Sequence, residues 1–525
     1  MALTTFRFFI FAIILIIVYF IVPKKGQWIV LLVASIAFYA LAGLENSFFI
    51  VITALTTFFS AWWIEKETLN CSKFLKDNKE LLPKEERKIH KTKSVNKRKL
   101  VLAACLVINF GILCVFKYTN FAISIINSIS TGSHIDAITI LVPLGISFYT
   151  FTSMGYLLDV YWEKTPAQKN FFKLLLFTCF FPQITQGPIS DYRALSPSLY
   201  ASHKFEYDRF AWGVQRFIWG LVKKLAIADV ASVYVTDLFA NFQNYSGITV
   251  YIGMLCYTLQ IYADFSGYMD MMCGLCQILG IDLPENFERP YFSKSISEYW
   301  RRWHITLGAW FKNYVYYPAG FSRWAQFVGK KGKKIFGNTF AKAMPGTIAL
   351  IIVWFTTGLW HGANWGYIVW GLLNGVFIIA TLWLEPFYAL CRKAFHIKES
   401  AWWWRTFQVL RTFFMITFIK ILPEVGGLSA GLALWAQVFT SKVTVNSFNE
   451  LLPFVDDTLN LAVMIILTIL LFIVSLIQRK EQVRVRFNKL PMPLRVFILA
   501  LLFIVAIEFG ARSVGLNAVF LYENF

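Results

Sequence analysis

From Ala343 to Leu384 the chain carries no Lys, Arg, Asp or Glu. About 20 apolar residues cross the roughly 30 Å hydrocarbon core of a bilayer, so this run is long enough for two spans. Apolar segments recur from one end of the 525 residues to the other. In lipid every backbone N–H and C=O must be satisfied within the protein, which leaves only helices or a closed barrel. The runs are continuous and lack the polar alternation of a barrel lumen, so helices are expected. With 57% hydrophobic and 15% charged residues, the composition also favours a polytopic all-α membrane protein over a string of soluble domains.

The predicted spans are 8–22, 27–44, 48–64, 100–118, 138–160, 213–240, 247–262, 346–360, 366–384, 406–422, 459–478 and 495–509. The first apolar run, Phe8 to Phe20, leads into Ile21-Val22-Pro23-Lys24-Lys25 without a small-residue cleavage site. It reads as a retained span rather than a signal peptide. Glu65 to Lys99 holds twelve Lys/Arg against six Asp/Glu and reads as a basic, solvated cytoplasmic loop. The basic groups at 323–342, 392–411 and 479–495 then also fall inside. Segment 423–458 and both termini fall outside. At 169–190 the run LLLFTCFFPQITQGPIS breaks at Pro182, Gly187 and Pro188, the chemistry of a re-entrant segment. No fixed-period repeat is evident, and the chain reads as one membrane-embedded domain.

The net charge of +20 lies mostly in short stretches between apolar runs. That is the positive-inside pattern and argues against a nucleic-acid partner. The eight cysteines are scattered, and Cys273-Gly-Leu-Cys276 is a lone CxxC in an apolar setting, better suited to packing than to redox or zinc chemistry. No two histidines lie three or four apart, so no metal site is written locally, and no phosphate-binding glycine loop is present. The basic Gly329-Lys-Lys-Gly-Lys-Lys334 suits anionic lipid headgroups or a phosphate-bearing donor.

Three clusters could carry chemistry. His361 stands in TGLWHGANWGYIVWG, where Gly358, Gly362, Asn364 and Gly366 predict a helix break beside it. An ionisable residue within a span points to function, although a histidine there also serves as a hydrogen bond between helices. In a functional role a neutral imidazole suits a general base. The second cluster is YWRRWHITLGAWF, residues 299–311. Trp300, Trp303, Leu307, Trp310 and Tyr314 fall on one stripe of an amphipathic interfacial helix, with Arg301, Arg302 and Lys312 elsewhere and His304 beside the stripe. The third is YADFSGYMD, residues 262–270. It places Asp264, Ser266 and Asp270 at the end of an apolar span, where helix capping is the plain reading. A nucleophile elbow would need glycine two before Ser266, and Asp264 stands there instead.

Taken together, YADFSGYMDM, LPENFERPYFSKSISEYWRRWHITLGAWFKNYVYYP and GLWHGANWGYIVWG resemble the membrane-bound O-acyltransferase family. FPQITQGPISDY (181–192) and FLYENF (520–525) are also similar to its bacterial branch that acetylates polysaccharide. The specific part of the resemblance runs over 262–375. It implies about eleven spans with short re-entrant and interfacial helices, hollowed by a central funnel. It makes His361 the catalytic histidine and His304 a supporting one. Asp264, Ser266, Trp300, Arg301, Arg302, Trp303, Trp360, Asn364 and Gln186 become candidates for lining the funnel.

The resemblance further implies a cytoplasmic acyl thioester as donor, acetyl-CoA or an acyl carrier protein, and no bound cofactor. Transfer would proceed through a separate extracytoplasmic acetyltransferase or acceptor protein, from the plasma membrane of a bacterium. Two departures bear on the acceptor and the partner. Ala319-Gly-Phe-Ser-Arg323 stands where the branch commonly has Leu-Gly-Gly-Asn-Arg, and Phe414-Met-Ile-Thr-Phe-Ile-Lys420 replaces a usual Trp-x-x-Phe-Arg. D-alanyl transfer to teichoic acid is the rival activity, and a non-catalytic transporter is the rival of another class.

Overall fold

The computed structural model describes residues 3–41, 43, 46–130, 134–441 and 458–513. The FLYENF ending, the C-terminus and residues 442–457 of the 423–458 segment lie outside them. Contacts group the chain into two compact units. One contains residues 7–210 and 276–283, the other 3–6, 211–275 and 284 onward.

The first unit is built from α1 (Phe6–Ile21), α2 (Gln27–Ala40), α3 (Asn46–Asp77), α4 (Lys84–Ile129), α5 (Ile146–Tyr161), α6 (Phe171–Cys179), α7 (Phe181–Ile184) and α8 (Tyr192–Tyr200). The segment 65–99, expected as a loop, is helix for most of its length. It forms the end of α3 and the start of α4, turned at 78–83. Its Lys and Glu residues favour helix as strongly as they favour water. The two arms are joined by Arg98 donating to Thr68 at 2.7 Å, by Phe74 stacked on His90 at 4.0 Å, and deeper by Asn109 donating to Thr56 at 3.1 Å. Segment 169–190 breaks where its prolines and glycine predict, with α6 and the short α7 followed by buried irregular chain. Gly145, in left-handed backbone at φ 68°, lets α5 start hard against Ile184, whose carbonyl a side chain there would strike.

The second unit begins with α9 (Tyr207–Leu221), a π-helical stretch Val222–Asp229, α10 (Val230–Ala240) and α11 (Gly247–Ile278). Three short helices follow, α12 (Ile296–Arg302), α13 (Ile305–Phe311) and α14 (Tyr317–Gly320). Next come α15 (Arg323–His361), α16 (Trp365–Trp383), α17 (Glu385–Ala394), α18 (Trp402–Ile421), α19 (Leu428–Thr440), α20 (Thr458–Ile477), α21 (Val483–Phe487) and α22 (Met492–Ser513). α15 is kinked at Gly337 (φ 81°), which separates a basic arm from an apolar span. α15 and α16 pack as an antiparallel hairpin at backbone distance. A Cβ on Gly371 would lie 2.9 Å from the Gly358 Cα, and one on Gly375 would lie 2.9 Å from the Trp354 Cβ. Small residues at such spacing are how membrane helices approach closely.

Seven described helices are long and apolar enough to cross a membrane, while Phe6–Ile21 and Leu428–Thr440 are apolar but shorter. Five predicted spans are not among the seven. Spans 8–22 and 27–44 form the shorter helices α1 and α2, residues 134–145 are irregular before α5, the 213–240 run turns π-helical around Lys223 and Lys224, and 406–422 falls in α18. The large apolar residues of α22 face outward, among them Phe497, Leu501 and Ile504. In water such a face would be a liability; against acyl chains it costs nothing. The protein is an all-α, multi-pass membrane protein.

Candidate active site

α15 ends on His361 and α16 starts at Trp365, so the helix breaks at the position the glycines predict. Gly362 takes extended backbone, and Asn364 caps α16 by accepting the Tyr367 N–H at 3.0 Å. His361 is buried, with ring centroids of Trp370 at 4.7 Å, Trp360 at 4.8 Å and the near-parallel Tyr367 at 6.2 Å. It borders a cavity of about 20 Å³, room for one water-sized body, walled also by Tyr257, Trp300, Trp303 and Pro423.

Two further residues of this cavity escaped sequence reasoning as site candidates: Lys420 and Glu424. The Lys420 ammonium stands 3.6 Å from the centre of the Trp303 ring and donates to the Tyr291 hydroxyl at 3.2 Å. Glu424 accepts from the Tyr367 hydroxyl at 3.0 Å. A signal existed in the sequence. Lys and Glu four apart, in an otherwise uncharged run from Thr412 onward, would stack on one helical face. By the alternation of spans Glu424 falls in the extracytoplasmic segment 423–458, and Lys420 falls at the end of the predicted span 406–422.

His304 does not lie beside a continuous amphipathic helix. The expected stripe is cut into α12 and α13, with His304 between them in left-handed backbone at φ 48°, ψ 53°. The cause is a short antiparallel pairing with residues 286–288. Glu288 N–H donates to Arg302 O at 2.9 Å, Ile305 N–H to Asn286 O at 3.1 Å, and the Asn286 side chain accepts from Thr306 N–H and hydroxyl at 2.9 and 2.7 Å. Trp303 and Trp310 are consequently buried. The His304 ring lies 4.8 Å from that of Phe265 and 6.1 Å from that of Trp360, which also touches His361. Burial pushes its imidazole down to about 3, so it stays neutral at physiological pH.

Asp264, Ser266 and Asp270 do not cap a helix end; they lie within α11. The basic residues of the π-helical stretch and α9 neutralise them. Lys224 reaches Asp264 and Asp229, each at 2.8 Å. Lys223 reaches Asp270 at 2.7 Å and the Ser266 hydroxyl at 3.0 Å, and Arg216 bridges Asp270 and Glu285. Ser266 and Asp270 line a second, larger cavity of about 480 Å³, which Asp264 does not reach. Arg216, Lys223, Arg289 and Arg484 line it as well, against Asp270, Glu285 and Glu288. Its Tyr262 and Phe287 pack on the Trp303 ring at 6.2 and 5.0 Å. Trp303 therefore stands one aromatic layer from the large cavity while walling the small one.

The remaining predicted residues divide. Trp300 walls the His361 cavity and donates to Asn374 at 2.9 Å. Arg301 is exposed and donates to Ser297, and Arg302 pairs with Glu298 at 2.6 Å, so neither faces His361's cavity. Gln186 belongs to the first unit, fully buried, with no hydrogen-bond partner for its amide among the described residues. Among the described residues no group of three His, Cys, Asp or Glu could hold a metal ion.

The sequence model of the MBOAT, or membrane-bound O-acyltransferase, family matches residues 166–422, a range that holds both histidines and Lys420. The chain is 35% identical over 277 residues to a probable alginate O-acetylase AlgI of Pseudomonas aeruginosa, covering 52% of this chain and 49% of that one. It is 29% identical over 419 residues to a peptidoglycan O-acetyltransferase of Helicobacter pylori, covering 72% and 75%. To a teichoic acid D-alanyltransferase of Bacillus subtilis it is 30% identical over 279 residues, covering 52% and 67%. The chain spans about half the length of the alginate O-acetylases it matches.

Proposed function

The chain belongs to the membrane-bound O-acyltransferase family, and on that premise we propose that it moves an acyl group, most simply acetyl, across the membrane for O-acetylation of a cell-surface polysaccharide. The observation that carries this reading is His361 at a broken span, in a small cavity walled by Trp303, which stands one aromatic layer from a larger, charged one. The large cavity has the size of a small-molecule site and suits the donor, acetyl-CoA or an acyl carrier protein presenting a thioester. A dry aromatic partition limits loss of the thioester to water. His361 acts as general base, taking the proton of the attacking hydroxyl. His304, neutral and buried behind Trp360, positions the wall rather than moving protons.

Relatives named for alginate and peptidoglycan support a glycan acceptor, reached through an extracytoplasmic acetyltransferase, with the protein in a bacterial plasma membrane and its basic segments inside. The Bacillus relative favours a second reading, D-alanyl transfer to teichoic acid from a carrier protein. Mass analysis of surface glycans from cells with and without the gene separates the two: loss of acetyl mass supports the first reading, loss of D-alanine the second. Replacing His361 by alanine abolishes the modification while leaving the protein in the membrane. Full modification by a well-folded His361→Ala variant would exclude the base role and leave the transporter reading standing.

A further inference from the structure

We propose that Lys420 supplies the N–H donor that stabilises the oxyanion of acyl transfer beside His361. This rests on the acyl-transfer reading and adds a residue to it. Lys420 is 6% exposed, yet among the described residues no carboxylate comes within 4.0 Å of its ammonium. Burial makes a charge on it expensive, offset in part by Glu424 electrostatically and by the rings around it. The Trp303 ring takes one face at 3.6 Å, with the Tyr291 and Tyr299 rings at 5.3 and 5.5 Å. The Tyr291 hydroxyl, itself donating to the Thr258 carbonyl at 2.7 Å, accepts one N–H at 3.2 Å. An ammonium has three donors, and Lys420 lines the same cavity as His361.

Glu424 acts on Lys420 electrostatically without a contact inside 4.0 Å. It lies just past the end of α18 and accepts from Tyr367, the tyrosine whose ring lies parallel to His361. The cavity thus presents an imidazole and a caged amine donor, the pair that hydroxyl attack on a carbonyl requires. The acceptor oxygen bonds to the carbonyl carbon as its proton passes to His361. The carbonyl pair moves onto its oxygen, and Lys420 faces the charge formed there. Collapse restores the C=O bond and breaks the C–S bond, and the thiolate leaves with the proton held on His361. A charge that appears only in this step gains most from a donor already in place.

The test uses the full chain in lipid nanodiscs, with acetyl-CoA as donor and peptidoglycan-derived oligosaccharide as acceptor, read by thiol release. Lys420→Met lowers kcat by about 10²–10³-fold, as loss of an oxyanion donor does, with the KM for acetyl-CoA within about threefold. Lys420→Arg, which keeps N–H donors at the position, recovers at least about tenfold of that loss. A Lys420→Met kcat close to that of the unaltered protein overturns the proposal. So does a loss that Lys420→Arg fails to recover and that follows a fall in melting temperature, which assigns Lys420 to packing. His361→Ala runs in parallel, and thiol release undiminished in that variant defeats the acyl-transfer reading itself, whatever Lys420 does.

Discussion

His304 occupies left-handed backbone with its imidazole 1% exposed, between the rings of Phe265 and Trp360. Holding a non-glycine residue there costs on the order of 1–3 kcal/mol, which the Asn286 and Glu288 hydrogen bonds offset. The same burial links stability to pH. The imidazole binds its proton near 6.5 when unfolded and only near 3 when folded, so between these values the unfolded chain holds more protons. Stability is complete above about 6.5 and is lost as the pH falls toward 3. The melting temperature of the purified protein is therefore expected to drop between pH 7 and pH 5, and His304→Gln to flatten that slope. An unchanged slope would mean that His304 is solvated. None of this was legible in WRRWHITL, whose spacing is that of an unbroken helix. The break comes from pairing with Asn286 and Glu288, upstream residues with no local signature of contact. His361 was legible because its helix break is local, written in Gly362 and Asn364. Lys420 and Glu424 stand out as a charged pair four apart, but their place beside His361 was not legible, because only packing brings them to it.

At the level of elements, the π-helical stretch Val222–Asp229 shows how a polar sequence is kept inside an apolar unit. Periodicity predicts a plain span over 213–240, and Lys223, Lys224 and Asp229 interrupt its apolar character. The structure keeps all three buried, and the π geometry lets Lys224 meet both Asp229 of its own segment and Asp264 of α11. α9 and α11 approach so closely that a Cβ on Gly274 would lie 2.6 Å from the Gly213 carbonyl oxygen. The basic residues have nowhere else to go. Removing one partner of such a buried set leaves uncompensated charge, which costs about 3–5 kcal/mol. Lys224→Met is thus expected to lower thermal stability sharply, because two buried carboxylates lose their shared cation. Arg209→Gln, which breaks a solvent-facing pair with Asp282, is expected to change it by no more than about 1 kcal/mol. Differential scanning fluorimetry on the two solubilised variants makes the comparison, and equal melting temperatures would show that the Lys224 cluster is hydrated.

At the scale of the whole molecule, the distribution of charge along the sequence carries an orientation. On the predicted alternation of apolar runs the basic segments 65–99, 323–342, 392–411 and 479–495 share one side, which the positive-inside rule leads us to expect in the cytoplasm. α4 offers the cleanest place to test it, because one unbroken helix of 46 residues runs from the basic hairpin to the far end of an apolar span. At 1.5 Å per residue it is about 69 Å long, more than twice the hydrocarbon core, so its two ends cannot share a compartment once its apolar stretch is embedded. Thr92 is exposed in the basic arm and Ser128 is exposed at the other end. In a background without the eight native cysteines, Thr92→Cys should stay unlabelled by a membrane-impermeant maleimide in intact cells and react once they are opened. Ser128→Cys should react in intact cells. The reverse pattern would turn the protein over. It would put the basic segments outside and remove the ground for a donor supplied from the cytoplasm.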